Sequence, residues 1–135
     1  MIERTLGIIK PDAVKAQKIG AIVSLIELNK FTIIGLQKKQ LTLEEAENFY
    51  HVHQDKPFFG ELVEYMISGP VVLVALEKES AIQAWRILMG ATNPAKADVG
   101  TLRYMFGTSI GNNAVHGSDS PETAQKELSF FFPNL

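Results

Sequence analysis

The sequence contains no cysteine, and this absence excludes several kinds of chemistry. Disulfide bonds, thiolate nucleophiles and zinc sites built on cysteine are all ruled out. Long apolar runs are also missing, because charge or glycine interrupts each one well before the roughly 20 residues that span a bilayer. Met1 is followed closely by Glu3 and Arg4, so we expect no signal peptide. Together these absences predict a cytoplasmic protein with no membrane partner.

An excess of charge of one sign is also absent. The 13 basic and 15 acidic residues give a formal net charge of −2, which argues against a broad nucleic-acid-binding surface. Any cations that bind phosphate must therefore converge in one cleft. The length of 135 residues suits one domain with a substantial core, and we expect a single domain over residues 1–135.

The glycine-rich motifs that bind phosphates through the backbone are missing. Neither the G-x-x-x-x-G-K-[ST] loop nor the G-x-G-x-x-G turn occurs, and there is no G-x-S-x-G serine elbow. If the chain handles phosphates, side chains and Mg²⁺ must neutralise them. His51 and His53 are separated by one residue, and we interpret them as surface residues because a metal site needs more ligands in a matching geometry.

Hydrophobic periodicity predicts an α+β fold. Branched apolar runs predict strands at 4–9, 31–37, 71–76 and 113–115. Helices are predicted at 19–28, after Thr42, from Pro57, after the cap residue Ser80, and at 123–132. A long irregular segment spans residues 91–100. The order fits a ferredoxin-like βαββαβ plan, with a four-stranded antiparallel sheet, helices on one face and added helices.

The segment 112–120 is the most informative part of the chain. It sets a histidine, His116, before a Gly-Ser-Asp-Ser run and the helix-starting Pro121. Because Gly117 tolerates a positive φ, we expect His116 to lie in a tight turn between the last strand and the last helix. The residues alone leave two interpretations open, namely a functional histidine and an incidental one beside a capped helix.

Six segments of the sequence resemble those of a known family. Residues 113–120, Asn-Ala-Val-His-Gly-Ser-Asp-Ser, resemble the active-site signature of the nucleoside diphosphate kinases. The likeness continues, in order and nearly without gaps, through residues 5–12, 55–59, 68–71, 89–94 and 100–103. It therefore covers essentially the whole chain.

The resemblance implies a double-displacement phosphoryl transfer. His116 would take the γ-phosphoryl group of a nucleoside triphosphate such as ATP or GTP and pass it to a nucleoside or deoxynucleoside diphosphate. The chemistry of the residue agrees, because neutral imidazole is both a nucleophile and a leaving group near neutral pH. Such a transfer needs convergent donors more than an acid or a base.

The resemblance also assigns nucleotide-binding and orienting residues. Phe58 would stack on the base and Leu62 would line the same slot, which predicts weak base selectivity because every base has a π-face. Glu127 would orient His116, with Ser118 bridging to the carboxylate. The family positions that bind phosphate and sugar, some of them also catalytic, are occupied by Lys10, Tyr50, Arg86, Thr92, Arg103 and Asn113.

The expected cofactor is Mg²⁺. It should be held mainly by the substrate phosphates and by no direct protein ligand, since this ion keeps few protein ligands. The resemblance further implies a homo-oligomer, either a tetramer or a hexamer built from a common dimer.

Some positions depart from the family pattern. Lys56 and Asn112 stand where arginine is frequent, and Tyr104 and Met105 replace the small and acidic residues usual after Arg103. We expect activity to survive these changes and the oligomer geometry to differ.

Two other function classes are alternatives for this sequence. A phosphohistidine relay protein would pass its phosphoryl group to an aspartate, but it would leave the nucleotide-binding residues without a purpose. A βαββαβ regulatory or nucleic-acid-binding module would use its sheet surface, but no aromatic-basic strand of the required type is present. Loss of His116 discriminates between a transferase and a binding module, because it would abolish the transfer activity of the first and leave the affinity of the second largely intact.

Overall fold

The computed structural model describes residues 1–135. Its strands are β1 (Ile2–Ile9), β2 (Thr32–Lys39), β3 (Val71–Glu79) and β4 (Val115–Gly117). Its helices are α1 (Pro11–Lys15), α2 (Ile19–Leu28), α3 (Leu43–Phe49), α4 (Phe59–Met66), α5 (Ala81–Met89), α6 (Leu102–Phe106) and α7 (Pro121–Phe131). Short 3₁₀ turns cover His51–His53 and Pro94–Lys96. No helix has both the length and the apolar composition needed to cross a membrane.

The four strands form one antiparallel sheet in the order β2-β3-β1-β4, which confirms the predicted fold class. The two long apolar strands β1 and β3 are central, with Ile9 opposite Val72. The short strand β4 lies at one edge, where its register sets His116 opposite Ile8. The catalytic candidate is therefore attached directly to the most buried strand pair of the molecule.

Both faces of the sheet are covered. Successive residues of a strand point to opposite faces, so Val72 and Val74 join the core under α2 and α5, whereas Leu73 and Ala75 join the second core. The added helices α3, α4 and α7 cover that second face, where Tyr50, Met66, Leu128 and Phe131 are buried. Since His116 follows Val115 on β4, its side chain projects to the face that carries α3 and α7.

His116 lies inside strand β4, so the prediction of a turn position was wrong. The predicted strand 113–115 is displaced because Ala114 has a left-handed backbone with φ of 74° and cannot continue an extended strand. Gly117 does not use its tolerance of a positive φ, since it is paired opposite Gly7 of β1.

The local helix signals were mostly correct. Thr42 forms a complete capping box with Glu45, and the Ser120 hydroxyl accepts the Thr123 N–H at 3.1 Å. Ser80 precedes α5 as predicted, but its side chain does not cap the helix because its backbone is left-handed, with φ of 51°. The Glu3 carboxylate takes this role and accepts the Ile82 N–H at 3.1 Å. The residues around Pro57 form a turn, and α4 begins at Phe59.

Candidate active site

The first group in the site joins the end of β1 to the segment before β4. The Lys10 ammonium donates to the Asn113 side-chain oxygen at 3.0 Å, and the Asn113 amide nitrogen donates to the Thr92 carbonyl at 3.0 Å. Lys10 is 9% exposed. Burial and the nearby Arg103 charge lower the pKa of Lys10 to about 8, although Asp12 opposes this shift. Lys10 is therefore an incompletely neutralised cation in a mostly dry position.

Arg103 supplies a second buried cation. Its Nη1 donates to the Gly90 carbonyl at 3.0 Å, and its Nη2 donates to the Val115 carbonyl at 2.9 Å. Its buried Nε has no partner, so three of the five N–H hydrogens stay available for a ligand. Burial and the charge of the exposed Arg86 lower the pKa of Arg103 to about 10. Lys10, Arg86 and Arg103 thus form a region of unbalanced positive charge.

The third group surrounds the histidine. Nε2 of His116 lies 3.4 Å from Oε1 of Glu127, at the outer limit of hydrogen-bond range. The Ser118 hydroxyl donates to the same carboxylate oxygen at 2.7 Å. The His116 and Glu127 side chains are 21% and 14% exposed. Glu127 reaches the ring from α7, which the Ser120 cap sets in place.

Two aromatic residues from the end of α3 form a wall beside this ring. The Phe49 ring meets the imidazole edge to face at 5.4 Å between centroids, and the Tyr50 ring lies at 6.4 Å. The Tyr50 hydroxyl is buried without a hydrogen-bond partner, an arrangement that proteins usually avoid unless a ligand completes it. Burial, assisted by the Glu127 charge, raises the pKa of Tyr50 far above its usual range, so the hydroxyl stays protonated.

The opposite face of β4 packs tightly on α5. The Trp85 indole N–H donates to the His116 carbonyl at 3.1 Å. A Cβ on Gly117 would lie 2.4 Å from Trp85 Cδ1 and 2.6 Å from Met89 Cε, distances that real side chains do not tolerate. Glycine is therefore required here for close approach, and this contact fixes the height of β4 above the helix.

The backbone before β4 is strained. Val115 donates to the Asn113 carbonyl at 2.9 Å across Ala114, which has a φ of 74°. This is the pattern of the rarer form of γ-turn, which is uncommon for a residue with a Cβ. The Ala114 N–H donates to Asp12 at 3.1 Å, and the other oxygen of this carboxylate accepts the Tyr65 hydroxyl. The resemblance assigned no role to Asp12 or Tyr65, although Asp12 lies within the similar segment 5–12.

Phe58 and Leu62 lie on and just before α4. Phe58 is 47% exposed and packs beside the His53 ring at 5.7 Å between centroids, whereas Leu62 is partly buried against the core that contains Tyr50. No direct contact joins Phe58 to the cationic groups. Asp12, through Tyr65 of α4, is the hydrogen-bonded link between this helix and the segment that carries Asn113.

The carboxylates of the site are engaged by other groups of the chain. Asp12 has both oxygens engaged in hydrogen bonds, and Glu127 faces His116 and Ser118. No group of three or more His, Asp or Glu side chains converges on one point in the chain.

Comparison with known proteins identifies the family of this chain. The family model described as nucleoside diphosphate kinase matches residues 3–135. The chain is 55% identical over 134 residues to a nucleoside diphosphate kinase of Geotalea uraniireducens, covering 99% of this chain and 98% of that protein. It is 53% identical over 134 residues to the one of Pelobacter propionicus, with the same coverage of 99% and 98%.

Solved structures agree. The chain superimposes on a crystal structure of the Aquifex aeolicus nucleoside diphosphate kinase with a TM-score of 0.95 and 45% identity, covering 98% of this chain and 96% of that one. The apo enzyme of Encephalitozoon cuniculi gives a TM-score of 0.92 at 38% identity, covering 96% and 88%. The chain therefore belongs to the nucleoside diphosphate kinase family, whose members are phosphotransferase enzymes.

Proposed function

We propose that this enzyme transfers the γ-phosphoryl group of a nucleoside triphosphate to a nucleoside diphosphate by a ping-pong mechanism through phosphohistidine at His116. The observation that carries the proposal is the contact between Nε2 of His116 and the Glu127 carboxylate. It occupies one ring nitrogen and leaves Nδ1 without a protein partner, so Nδ1 is the nucleophile.

The two half-reactions balance at this nitrogen. In the first, a bond forms between Nδ1 and the γ-phosphorus as the bond from that phosphorus to the bridging oxygen breaks, and a nucleoside diphosphate leaves. In the second, a terminal phosphate oxygen of another nucleoside diphosphate attacks the phosphohistidine, and the N–P bond breaks. The proton on Nε2 stays on the Glu127 side of the ring throughout, so no separate base is needed.

The cations of the site hold the phosphates in this proposal. Lys10, Arg86 and Arg103 bind phosphate oxygens and stabilise charge in the transition state. Their unbalanced positive charge and the free N–H hydrogens of Arg103 support this role. The Tyr50 hydroxyl, which lacks a partner, donates a further hydrogen bond within the site.

The remaining contacts bind the nucleoside. Asn113 and Thr92 bind the sugar and adjacent phosphate, and Asn113 is already oriented by its bonds to Lys10 and to the Thr92 carbonyl. Phe58 stacks on the base and Leu62 lines the slot. ATP and GTP therefore serve as donors, and nucleoside and deoxynucleoside diphosphates serve as acceptors. The half-exposed Phe58 ring supports this arrangement, since its face is open to a planar ligand.

Mg²⁺ is the proposed cofactor, held mainly by the phosphates of the substrate. When bound there it would neutralise part of their charge. The chain's own contribution is the three cations Lys10, Arg86 and Arg103, which bind phosphate oxygens.

A labelling and chase experiment tests the function. The enzyme is incubated with γ-³²P-ATP and Mg²⁺, denatured without acid, and compared with His116→Ala. We expect an acid-labile label that is absent from the variant and is discharged by GDP, CDP and dTDP alike. A label that no nucleoside diphosphate discharges would indicate a phosphohistidine relay protein, and ATP binding without label would indicate a nucleotide-binding module.

The enzyme is also proposed to be a homo-oligomer, either a tetramer or a hexamer built from a common dimer. The outer edge of β2 has no partner strand in one chain, and Leu36 on this strand is exposed, as is Leu28 on α2. An unpaired edge with apolar residues favours association. Sedimentation equilibrium gives the mass directly, and a monomer at micromolar concentration would contradict this part of the proposal.

A further inference from the structure

The turn that precedes the catalytic strand is held in an unfavourable conformation. A left-handed backbone is unfavourable for a residue with a Cβ, and Ala114 adopts it while fully buried. The turn stands directly between Asn113 and the strand that carries His116. Its conformation therefore sets the distance and the angle between these two residues.

Three main-chain groups of this turn are restrained from outside it. The Lys10 N–H donates to the Ala114 carbonyl at 2.8 Å, and Arg103 donates to the Val115 carbonyl. The Ala114 N–H has one acceptor, the Asp12 carboxylate at 3.1 Å. Because this N–H is buried, loss of the acceptor would leave it unpaired and would favour relaxation of Ala114 to an ordinary φ.

Tyr65 completes the restraint. Its hydroxyl donates to the second Asp12 oxygen, so the carboxylate is fixed between one donor from α4 and one from the turn. The residue lies on the same helix as Leu62, close in sequence to Phe58. Burial and the bond to Asp12 raise the pKa of the Tyr65 hydroxyl, so it remains a donor throughout the working pH range.

We propose that Asp12 and Tyr65 are positioning residues for the phosphoryl transfer. They hold the strained Ala114 turn and couple it to α4, the helix of the nucleotide slot, so that a bound nucleotide and the His116 ring keep their mutual alignment. This inference rests on the proposed function. It assigns no contact with substrate to either residue.

The variant Asp12→Asn tests the restraint with almost no change of volume. The amide has a single acceptor oxygen. Its nitrogen must therefore face either the Ala114 N–H, donor against donor, or the Tyr65 hydroxyl, which would then stop donating to residue 12 and accept instead. Misalignment of reacting groups by about 1 Å slows transfer by about 100-fold. We expect Asp12→Asn to slow phosphorylation of His116 by about 10- to 100-fold, and Tyr65→Phe to slow it by a smaller factor.

The measurement is a rapid-quench time course of label transfer from saturating ATP and Mg²⁺ to the enzyme, with ADP affinity measured by calorimetry. A positioning role reduces the transfer rate much more than the affinity. Asp98→Asn and Tyr104→Phe are matched controls, since both side chains are exposed and neither makes a hydrogen bond within the chain. Both controls should transfer at the wild-type rate.

A second substitution distinguishes alignment from simple loss of stability. Glycine reaches a positive φ without strain, so Ala114→Gly reduces the need for the Asp12 acceptor. In combination with Ala114→Gly, Asp12→Asn should slow the transfer by a smaller factor than it does alone. A purely structural role predicts that the two losses simply add.

The outcomes separate this inference from the function on which it rests. Wild-type enzyme that never acquires label overturns both. Wild-type enzyme that is labelled normally, together with folded Asp12→Asn and Tyr65→Phe that transfer at its rate, overturns the positioning role alone. If Asp12→Asn does not fold, Tyr65→Phe decides, because it keeps the bond between Asp12 and Ala114.

Discussion

Nε2 of His116 and Oε1 of Glu127 lie 3.4 Å apart across the gap between β4 and α7. The carboxylate also accepts the Ser118 hydroxyl at 2.7 Å, so it is held from both sides. This relationship selects one tautomer of the imidazole, with the proton on Nε2. We expect this contact to shorten as the ring gains positive charge on phosphorylation.

Glu127→Gln should slow phosphoryl transfer without abolishing nucleotide binding. The amide preserves the shape but loses the charge that stabilises the ring, and carboxylate partners of functional histidines contribute about 10- to 100-fold. We expect kcat to fall within this range while KM changes little, as steady-state assays with ATP and dTDP can measure. Glu122→Gln on the exposed face of α7 is the control. A Glu127→Gln enzyme with wild-type kcat would remove the orienting role.

The affinity of the free enzyme for ADP should decline as the pH rises through 8. The pKa of Lys10 is lowered to about 8, so the ammonium form is lost above this pH. A bound diphosphate favours the charged form, and binding therefore takes up a proton in that range. The loss should be no steeper than about tenfold per pH unit. Calorimetry in buffers of different ionisation enthalpy would measure both the affinity and the proton uptake.

Two variants test whether Lys10 causes this pH dependence of ADP affinity. Lys10→Met should weaken binding and flatten the pH profile, whereas Lys15→Met, at an exposed lysine of α1, should leave the profile unchanged. Arg103, with a pKa lowered to about 10, affects the profile only at higher pH. Wild-type affinity that is constant from about pH 7 to 9.5 would refute the account of Lys10.

Gly117→Ala should destabilise the fold and damage the site together. The new methyl group would meet Trp85 and Met89 at 2.4 and 2.6 Å, so β4 must move away from α5. Overpacking of this kind costs about 1–3 kcal/mol or more. Thermal unfolding should show a Tm lowered by several degrees. Gly20→Ala, where the added methyl group meets nothing within 4 Å, should not lower the Tm, and an equal loss in both variants would contradict the packing argument.

Phe58→Ala should reduce nucleotide affinity with little regard to the base. Stacking on an aromatic side chain is worth about 1–3 kcal/mol per base. We expect KM for ADP, CDP and dTDP to rise by similar factors, with a smaller change in kcat. Phe130→Ala removes another exposed aromatic ring, at 43% exposure against 47% for Phe58, and serves as control. A loss confined to purines would show that Phe58 does more than stack.

The parts of the fold that local sequence determines were predictable. The capping box of Thr42, the Ser120 cap and the apolar run of β3 each depend on neighbours within a few residues. The Glu3 cap on α5 was not predictable, because it joins residues 79 positions apart. Ser80 had the right composition for a cap, but its backbone conformation is set by the end of β3.

The candidate site likewise has features that the sequence predicts and features that depend on long-range contacts. Residue types and the family resemblance predicted His116, Glu127, Lys10 and Asn113 as site residues, and the structure places His116 beside Glu127 and Lys10 beside Asn113. The strained turn at Ala114 was not predictable, since alanine carries no signal for a positive φ. Its cause is a hydrogen bond to Asp12, a residue 102 positions away, and a pattern of one sequence cannot reveal such a pair.

In the proposed mechanism, Nδ1 of His116 carries the phosphoryl group. The direct test is ³¹P–¹⁵N correlation spectroscopy of enzyme labelled with ¹⁵N-histidine and phosphorylated by ATP and Mg²⁺ at neutral pH. We expect one phosphohistidine, on His116, with phosphorus bonded to Nδ1 and a proton on Nε2. Phosphorus bonded to Nε2, or found on His51 or His53, would contradict it.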